Sequence, residues 1–351
     1  MTMALSSRAR RQLLTWLAFV LVGAVAGELY THAMVKPGKP ELATWLLGAR
    51  AGALIAGATS ALEIVFVQGK HGAAFRRLPF LQFLGLRVAA HTCLVLLMLA
   101  LNAWISRLLG ESVAGHLLEP VQTLRNVLFS FAMFSIAMFV AQMRSLVGGR
   151  ALANVVFGRY YRPQHEERLF LLLDLKGSTP LAVRLGDEQF HELLSALFFD
   201  IDAPITEHGG EIYEYVGDAV IASWRIGAGA GNEDRRAVEA VFAAREAVRQ
   251  RSAWYRQKFG VVPDLRAVLH RGSVVAGECG DSKRQIVFRG ETLNTVARLE
   301  GLAKALDKDV VASCSGGGLR LPVGVQSHDL GEHRLKGLPA PLHVVALSTA
   351  A

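Results

Sequence analysis

Four long apolar segments fill most of the first 143 residues, and they constrain the fold of this part of the chain more than any other feature. They occupy roughly residues 13–31, 42–67, 80–105 and 121–143. Each is near or above the ~20 residues that an α-helix needs to cross the hydrocarbon core of a bilayer. The sequence therefore predicts that residues 1–143 form a bundle of four transmembrane α-helices in contact with membrane lipid.

Basic side chains predict how this bundle is oriented. The formal net charge is +8, and the apolar half carries it, because residues 1–150 hold 14 Lys or Arg against 5 Asp or Glu, while residues 151–351 hold 24 against 25. Such a distribution indicates membrane topology rather than a nucleic-acid partner. Three basic clusters fall on one side of the predicted membrane: Arg8, Arg10 and Arg11, then Lys70, Arg76 and Arg77, then Arg144 and Arg150. The positive-inside rule therefore predicts an integral protein of an inner or plasma membrane with a cytoplasmic N-terminus and second domain, although Lys36 and Lys39 oppose this bias.

Charged residues within the apolar segments predict ion pairs between helices. An unpaired charge at the centre of a membrane helix costs roughly 2.5–3.5 kcal/mol on insertion scales. When depth in the membrane is counted from the ends of the apolar segments, Glu63 lies at a depth similar to that of Arg87, and Glu28 at a depth similar to that of Arg50. We therefore expect these two pairs, and the alternative is that each long side chain reaches the membrane surface on its own.

A glycine-containing connector separates the apolar segments from a second domain. Residues 144–164 include Gly148-Gly149 and Gly158-Arg-Tyr-Tyr-Arg-Pro163, which interrupt a helix. Residues 165–351 then alternate short apolar runs with helical periodicity. The predicted helices are 180–208, 234–258 and about 292–306, and the predicted strands are Leu169–Leu173, Glu211–Tyr215, Val220–Trp224, Leu265–His270, Val274–Gly277, Gln285–Phe288, Val310–Ser313 and Leu342–Leu347. This mixture predicts an α+β sandwich in which helices cover one sheet.

Two carboxylates mark a candidate site in the second domain. Asp174 follows the apolar run Phe-Leu-Leu-Leu, and Asp218 lies in a Val-Gly-Asp-Ala hairpin turn, so both stand where a strand ends. Each alone is also explained as a turn former or helix cap. As a pair they suit two metal ions that clamp the attacking and leaving oxygens of a displacement at phosphorus. The Gly177-Ser178-Thr179 segment adds N–H groups at a helix start, where phosphate oxygens bind.

Three motifs, in one order, resemble the class III nucleotidyl cyclases, the family of adenylate and guanylate cyclases. They are Phe-Leu-Leu-Leu-Asp174-Leu-Lys-Gly-Ser-Thr, Gly-Gly-Glu-Ile-Tyr-Glu-Tyr-Val-Gly-Asp218-Ala and Gly290-Glu-Thr-Leu-Asn294-Thr-Val-Ala-Arg298-Leu-Glu. The resemblance covers about residues 165–347. It implies a ferredoxin-like α+β catalytic domain that works as a head-to-tail homodimer, with active sites shared between the protomers.

The resemblance also implies roles for the residues of the first two motifs. Asp174 and Asp218 match the metal-binding aspartates of the family, and the Leu175 carbonyl matches a further ligand. Two Mg²⁺ or Mn²⁺ ions per active site would bind the triphosphate of the substrate. The ribose 3′-oxygen would attack the α-phosphorus and expel pyrophosphate, with no dedicated protein base.

Four more positions match substrate-binding residues of the family. Asn294 would orient the ribose, and Arg298 would meet the charge that develops around the α-phosphate, both from the other protomer. Arg266 and Lys336 match positions that hold the β- and γ-phosphates. The alternatives are an ordinary helix-surface amide for Asn294 and a salt-bridging side chain for Arg298. For Arg266 and Lys336 the alternative is a solvated surface cation.

The base-recognition positions of the family correspond to Glu214 and Val287. They depart from the familiar adenylate cyclase pattern, which has Lys at the first position and Asp or Thr at the second. An acidic residue at the first position occurs in guanylate cyclases and accepts hydrogen bonds from guanine, whereas the Tyr-x-Tyr-Val-Gly-Asp hairpin resembles a bacterial subgroup with adenylate cyclase activity. We therefore predict an adenylate cyclase acting on ATP. The alternatives are a guanylate cyclase and a catalytically inactive signalling module.

Overall fold

The computed structural model describes most of the chain, which divides into two compact units, Met1–Gln142 and Met143–Ala351. The described residues are 7–34, 42–64, 80–110, 119–147, 158–227, 232–281, 285–313 and 319–349. Residues 148–157 of the predicted connector, which include Arg150, lie outside them, as do Lys36, Lys39, Lys70, Arg76 and Arg77.

Four helices make up the described part of the first unit, one for each predicted apolar segment. They are α1 (Ser7–Met34), α2 (Leu42–Leu62), α3 (Phe80–Leu108) and α4 (Pro120–Val147). By length and composition, Leu13–Ala33 and Gly85–Leu108 are candidate membrane spans, and Leu46–Leu62 is a shorter apolar helix. The structure therefore supports two candidate spans, and the four-span bundle and its orientation stay predictions.

One of the two predicted ion pairs between apolar helices is confirmed. Arg87 Nη2 lies 2.6 Å from Glu63 Oε1, and both side chains are largely buried. Arg50 donates to Asn102 Oδ1 at 2.8 Å and to Ser106 Oγ at 2.6 Å, and its pairing with Glu28 stays a prediction. Because these partners join α2 to α3, buried polar side chains help to fix how the two helices pack.

One mixed sheet of eight strands forms the centre of the second unit. Its order is β2-β3-β1-β4-β6-β8-β7, with β5 paired to β4. The strands are β1 (Gln164–Leu175), β2 (Glu211–Val216), β3 (Ala219–Arg225), β4 (Leu265–Cys279), β5 (Gln285–Arg289), β6 (Val310–Ser313), β7 (Val325–His333) and β8 (Leu342–Thr349). Only the β4–β6 pair is parallel among these pairs.

Helices cover both faces of this sheet. They are α5 (Ser178–Leu185), α6 (Asp187–Glu207), α7 (Glu233–Gln250), α8 (Ser252–Phe259) and α9 (Glu291–Ala305). The first core packs α5 to α8 against Leu169, Leu171 and Leu173 of β1, and the second core packs α9 against Phe170 of the same strand. This division follows from the two-residue side-chain period of a strand. The order β1–α6–β2–β3–α7–β4, with β1 between β3 and β4, is a ferredoxin-like arrangement.

Several element boundaries differ from the prediction. The helix expected over 180–208 is two helices, because Gly186 (φ 74°, ψ 165°) ends α5 and precedes α6. The helix expected over 234–258 is likewise interrupted, at Arg251. The two strands expected over 265–277 are one continuous strand, β4. The sequence did not predict β7, since most of its side chains are polar and exposed and show no apolar alternation.

A buried charged network joins the start of β1 to its neighbours. Arg168 is 2% exposed, and its Nε donates to Glu166 Oε2 at 2.9 Å. Its Nη1 donates to Ser223 Oγ at 2.8 Å, and its Cζ lies 4.4 Å from the centre of the Phe288 ring. The Tyr160 hydroxyl also donates to Glu166, at 3.0 Å. The segment before β1 is therefore tied to the sheet by satisfied polar contacts.

Candidate active site

Two aspartates meet at one end of the sheet. Asp174 is the penultimate residue of β1 and is buried. It lies directly opposite Ala219, the first residue of β3, and Asp218 is the turn residue just before Ala219. Gly217 makes this hairpin turn tight, because it adopts a left-handed conformation at φ 61°. The two carboxylates are therefore brought together by strand register.

The electrostatics of Asp174 reflect both burial and neighbouring charge. Burial raises the pKa of Asp174 to about 6, and the charges of Asp218 and Glu300 add to the rise, while Lys304 opposes it. Lys304 Nζ lies 3.2 Å from Asp174 Oδ2. Asp174 is buried and Asp218 is partly buried, and their negative charges repel each other, so a cation between them is stabilising.

The residues after Asp174 form a turn and a helix start. Leu175 is buried at the end of β1, opposite Leu265. Gly177, in a left-handed conformation (φ 64°), precedes Ser178, the first residue of α5, and no side chain caps this helix end. Thr179 is exposed. Helix N–H groups without a side-chain cap suit an anionic group.

Arg266 lies next to the aspartates in the sheet. It pairs with Asp174 across β1 and β4. Its Nε donates to the Lys308 carbonyl at 3.1 Å, and its Nη2 lies 3.9 Å from Asp307 Oδ1. We call Asp174, Asp218 and Arg266 the aspartate cluster.

A second set of predicted residues lies around α9. Asn294 and Arg298 are four residues apart, so they share one face of that helix. A Cβ built on Gly337 would lie 3.0 Å from Arg298 Nη2, so the guanidinium packs against the turn that follows the exposed Lys336. Within the described part of the chain, Arg298 Nη1 is buried and has no hydrogen-bond partner. We call Asn294, Arg298 and Lys336 the α9 cluster.

The start of α9 lies far from the aspartates of the same chain. Thr292 Oγ1 donates to the Ser273 carbonyl at 2.6 Å, and Ser273 pairs with Glu167 of β1. Glu167 precedes Asp174 by seven residues, which is about 23 Å along a strand. The N-terminal end of α9 is therefore at the opposite end of β1 from Asp174.

The two base-recognition candidates lie on β2 and β5, which are not paired with each other among the described strands. Glu214 is exposed, and Val287 is half-buried opposite Gly277. Two contacts nearby were not predicted from the sequence. Lys304 pairs with Asp174, and Tyr213, which precedes Glu214, packs against Phe288 of β5. Both are contacts between elements distant in sequence, and no local sequence pattern indicates either of them.

Comparisons with known proteins agree on one family. Residues 160–344 match the family described as the adenylate and guanylate cyclase catalytic domain. The chain is 38% identical to adenylate cyclase 2 of Rhizobium meliloti over 252 residues, which cover 68% of this chain and 69% of that protein. It is 28% identical to adenylate cyclase 1 of the same organism over 153 residues, 42% of this chain and 22% of that protein. A solved structure of a bacterial light-regulated adenylyl cyclase shares the fold, with a TM-score of 0.51 at 18% identity over 62% of this chain and 64% of that one.

Proposed function

The chain belongs to the family of adenylate and guanylate cyclase catalytic domains, and we propose that it is a membrane-bound adenylate cyclase that converts ATP to cyclic AMP and pyrophosphate. The observation that carries the proposal is the buried Asp174 beside Asp218 at the end of the sheet. The choice of ATP is supported by the 38% identity to a protein named adenylate cyclase.

The donor set at the aspartates fits a hard divalent cation. Two carboxylates and the Leu175 carbonyl offer only oxygen ligands, which Mg²⁺ and Mn²⁺ prefer. Positive charge would reduce the cost of burying the charge of Asp174 and its repulsion by Asp218. Lys304 already has this effect, since it lowers the pKa of Asp174. The described residues contain no group of three or more His, Cys, Asp or Glu side chains suited to a metal ion. We therefore expect the remaining ligands of two Mg²⁺ or Mn²⁺ ions to come from the nucleotide phosphates and water.

The side chains of the two clusters divide the work of the reaction. When bound, the metal ions would supply charge neutralisation and acidify the ribose 3′-hydroxyl. Arg266 and Lys336 hold the β- and γ-phosphates, while the N–H groups of Gly177, Ser178 and Thr179 receive phosphate oxygens. Asn294 orients the ribose, and Arg298 stabilises charge around the α-phosphate. The bond from the 3′-oxygen to phosphorus forms as the bond to pyrophosphate breaks, and the hydroxyl proton leaves to solvent.

We propose that each active site is shared by two copies of the chain in a homodimer. In one chain, the start of α9 lies at the opposite end of β1 from Asp174, so its Asn294 is poorly placed to act on a nucleotide held by its own aspartates. Arg298 also has a buried Nη1 without a hydrogen-bond partner in the described part of the chain. An α9 cluster from a second copy would complete the aspartate cluster, and two-fold symmetry would build two such sites.

The first unit is proposed to anchor the enzyme with four transmembrane helices and a cytoplasmic N-terminus and catalytic domain. The two candidate spans in α1 and α3 support an anchor. The confirmed pair between Glu63 and Arg87 removes a charge penalty inside the bundle.

Glu214 keeps a guanylate cyclase as the second candidate function. Its exposed carboxylate could accept hydrogen bonds from the N1–H and the exocyclic amine of guanine. Adenine offers an amine alone, so the carboxylate does not by itself exclude ATP.

Turnover of ATP or GTP, supplied separately with Mn²⁺ to the detergent-purified full-length protein, tests the proposal. We expect cyclic AMP from the wild type and at least a hundredfold less from Asp218→Ala, since it lacks a metal ligand. If cyclic GMP is the main product, the substrate is GTP rather than ATP. Neither product, with dimerisation and nucleotide binding intact, would favour an inactive signalling module.

Removing the ammonium group of Lys304 is expected to lower the Mn²⁺ concentration at half-maximal activity by about two- to fivefold in Lys304→Gln. Lys304 competes with a cation for Asp174, but its side chain is 52% exposed, so water weakens the competition. Titration of activity with Mn²⁺ measures the effect. The matched control is Lys258→Gln, which loses a surface pair with Glu192 and should keep the wild-type requirement. An unchanged or higher requirement in Lys304→Gln would contradict the prediction.

A further inference from the structure

A β-bulge at Tyr213 interrupts the hairpin that carries the first base-recognition candidate. Ile212 pairs with Ala222, but Glu214 pairs with Ile221, so β2 advances two residues where β3 advances one. Tyr213 is the extra residue. Bulges of this kind bend a strand and redirect the side chains that follow.

The bulge decides on which face of the sheet Glu214 lies. Residues directly opposite each other in an antiparallel pair share a face, so Glu214 shares the face of Ile221, which packs against the second core beside α9. Uninterrupted pairing would put Glu214 opposite Val220, which is buried in the first core on the other face. One inserted residue therefore moves the carboxylate to the face that carries Asn294 and Arg298.

Tyr213 holds this conformation through contacts to β5. Its ring lies 4.7 Å from that of Phe288, centre to centre, and its hydroxyl oxygen accepts a hydrogen bond from the Phe288 N–H at 3.4 Å. Phe288 is itself fixed by Arg168 and by an edge-to-face contact with Phe170. Tyr213 precedes Glu214 and Phe288 follows Val287, so the contact joins β2 to β5 one residue away from each base-recognition candidate.

We infer that Tyr213 is a positioning residue for selection of the nucleotide base. It clamps the β2 bulge to β5, so Glu214 projects to the α9 face and β2 stays at a set distance from Val287. The inference rests on the proposed function, since it concerns the same nucleotide site. It assigns Tyr213 no contact with the nucleotide, and its effect passes through Glu214.

A double-mutant cycle on the full-length protein separates positioning from general structural damage. The measured quantity is the ratio of kcat/KM for ATP to that for GTP. Glu214→Gln should raise this ratio about tenfold, because guanine loses more hydrogen bonds to the carboxylate than adenine does. Tyr213→Leu should raise it at least fivefold, through the KM for GTP. Adding Glu214→Gln to Tyr213→Leu should change this ratio less than twofold, because a carboxylate that no longer faces the base contributes little to base selection.

The control is Tyr215→Leu, on the same strand. Tyr215 is 47% exposed and packs against Phe198 of α6, so its loss should leave the ATP-to-GTP ratio unchanged. Three results would each overturn the inference. They are additive effects of Glu214→Gln and Tyr213→Leu on the ATP-to-GTP ratio, no effect of Glu214→Gln on this ratio in the wild type, and an equal shift of the ratio in Tyr215→Leu.

Failure of the proposed function is recognised separately. If the wild type makes neither cyclic product, adenylate cyclase activity is excluded, and the same cycle is read from equilibrium binding of non-cyclisable ATP and GTP analogues. Non-additive shifts in the binding ratio would still support the role of Tyr213. A wild type that binds neither analogue would overturn both the proposed function and the inference.

Discussion

Mixed dimers formed from the inactive variants Asp218→Ala and Arg298→Ala are expected to regain about a quarter of the wild-type cyclase activity. Each variant alone damages both sites of its homodimer and should lose at least a hundredfold in turnover. In a mixed dimer, one site takes both intact residues and the other takes both damaged ones. Random association makes about half of the dimers mixed, so about one site in four is intact.

Co-expression of two differently tagged chains, followed by measurement of cyclic AMP formation, checks this result. The matched control combines Asp218→Ala with Asp174→Ala. Both substitutions lie in the aspartate cluster, so neither site of the mixed dimer receives an intact set, and no activity should return. Equal recovery in both mixtures, or none in the first, would contradict sites shared between the aspartate cluster and the α9 cluster.

Loss of the buried Arg168 charge is expected to lower the stability of the second unit by about 3 kcal/mol in Arg168→Met. Arg168 and Glu166 are 2% and 5% exposed, so removal of the guanidinium leaves a buried carboxylate with fewer partners. Glu166 keeps Arg225 Nε at 3.1 Å and the Tyr160 hydroxyl, which puts the cost at the lower end of the range for a broken buried pair. For a unit of this size the melting temperature should fall by about 6–12 °C.

Thermal unfolding of the detergent-solubilised full-length protein, followed by calorimetry, measures this change. The control Arg235→Met removes an exposed pair with Glu239 and should shift the transition by no more than about 2 °C. The double variant Arg168→Met with Glu166→Met should recover part of the loss, since no carboxylate then remains buried at that position. A single variant as stable as the wild type would contradict the prediction and show that the remaining partners of Glu166 compensate its charge.

Much of the second unit was predictable because local sequence carries the information. The continuous apolar run that includes Leu169, Phe170 and Leu171 indicates a strand buried on both faces, and the structure divides these side chains between the two cores. Gly186 followed by Asp187 is a local signal for a helix end and a new helix start, and the predicted helix over 180–208 did not take it into account. β7 was not predictable from hydrophobicity, because backbone pairing with β8 rather than apolar burial forms it.

The sequence by itself determined the types and order of the chemical groups: apolar segments before the catalytic unit, two aspartates at strand ends, and an Asn294 and Arg298 pair on one helix. These depend on spacing within single elements, where the periods of helix and strand apply. Only the tertiary structure decided that Lys304 pairs with Asp174, that the start of α9 lies at the far end of β1, and that a bulge directs Glu214 toward α9. Strand register and packing between distant segments set those contacts, and no local pattern encodes them.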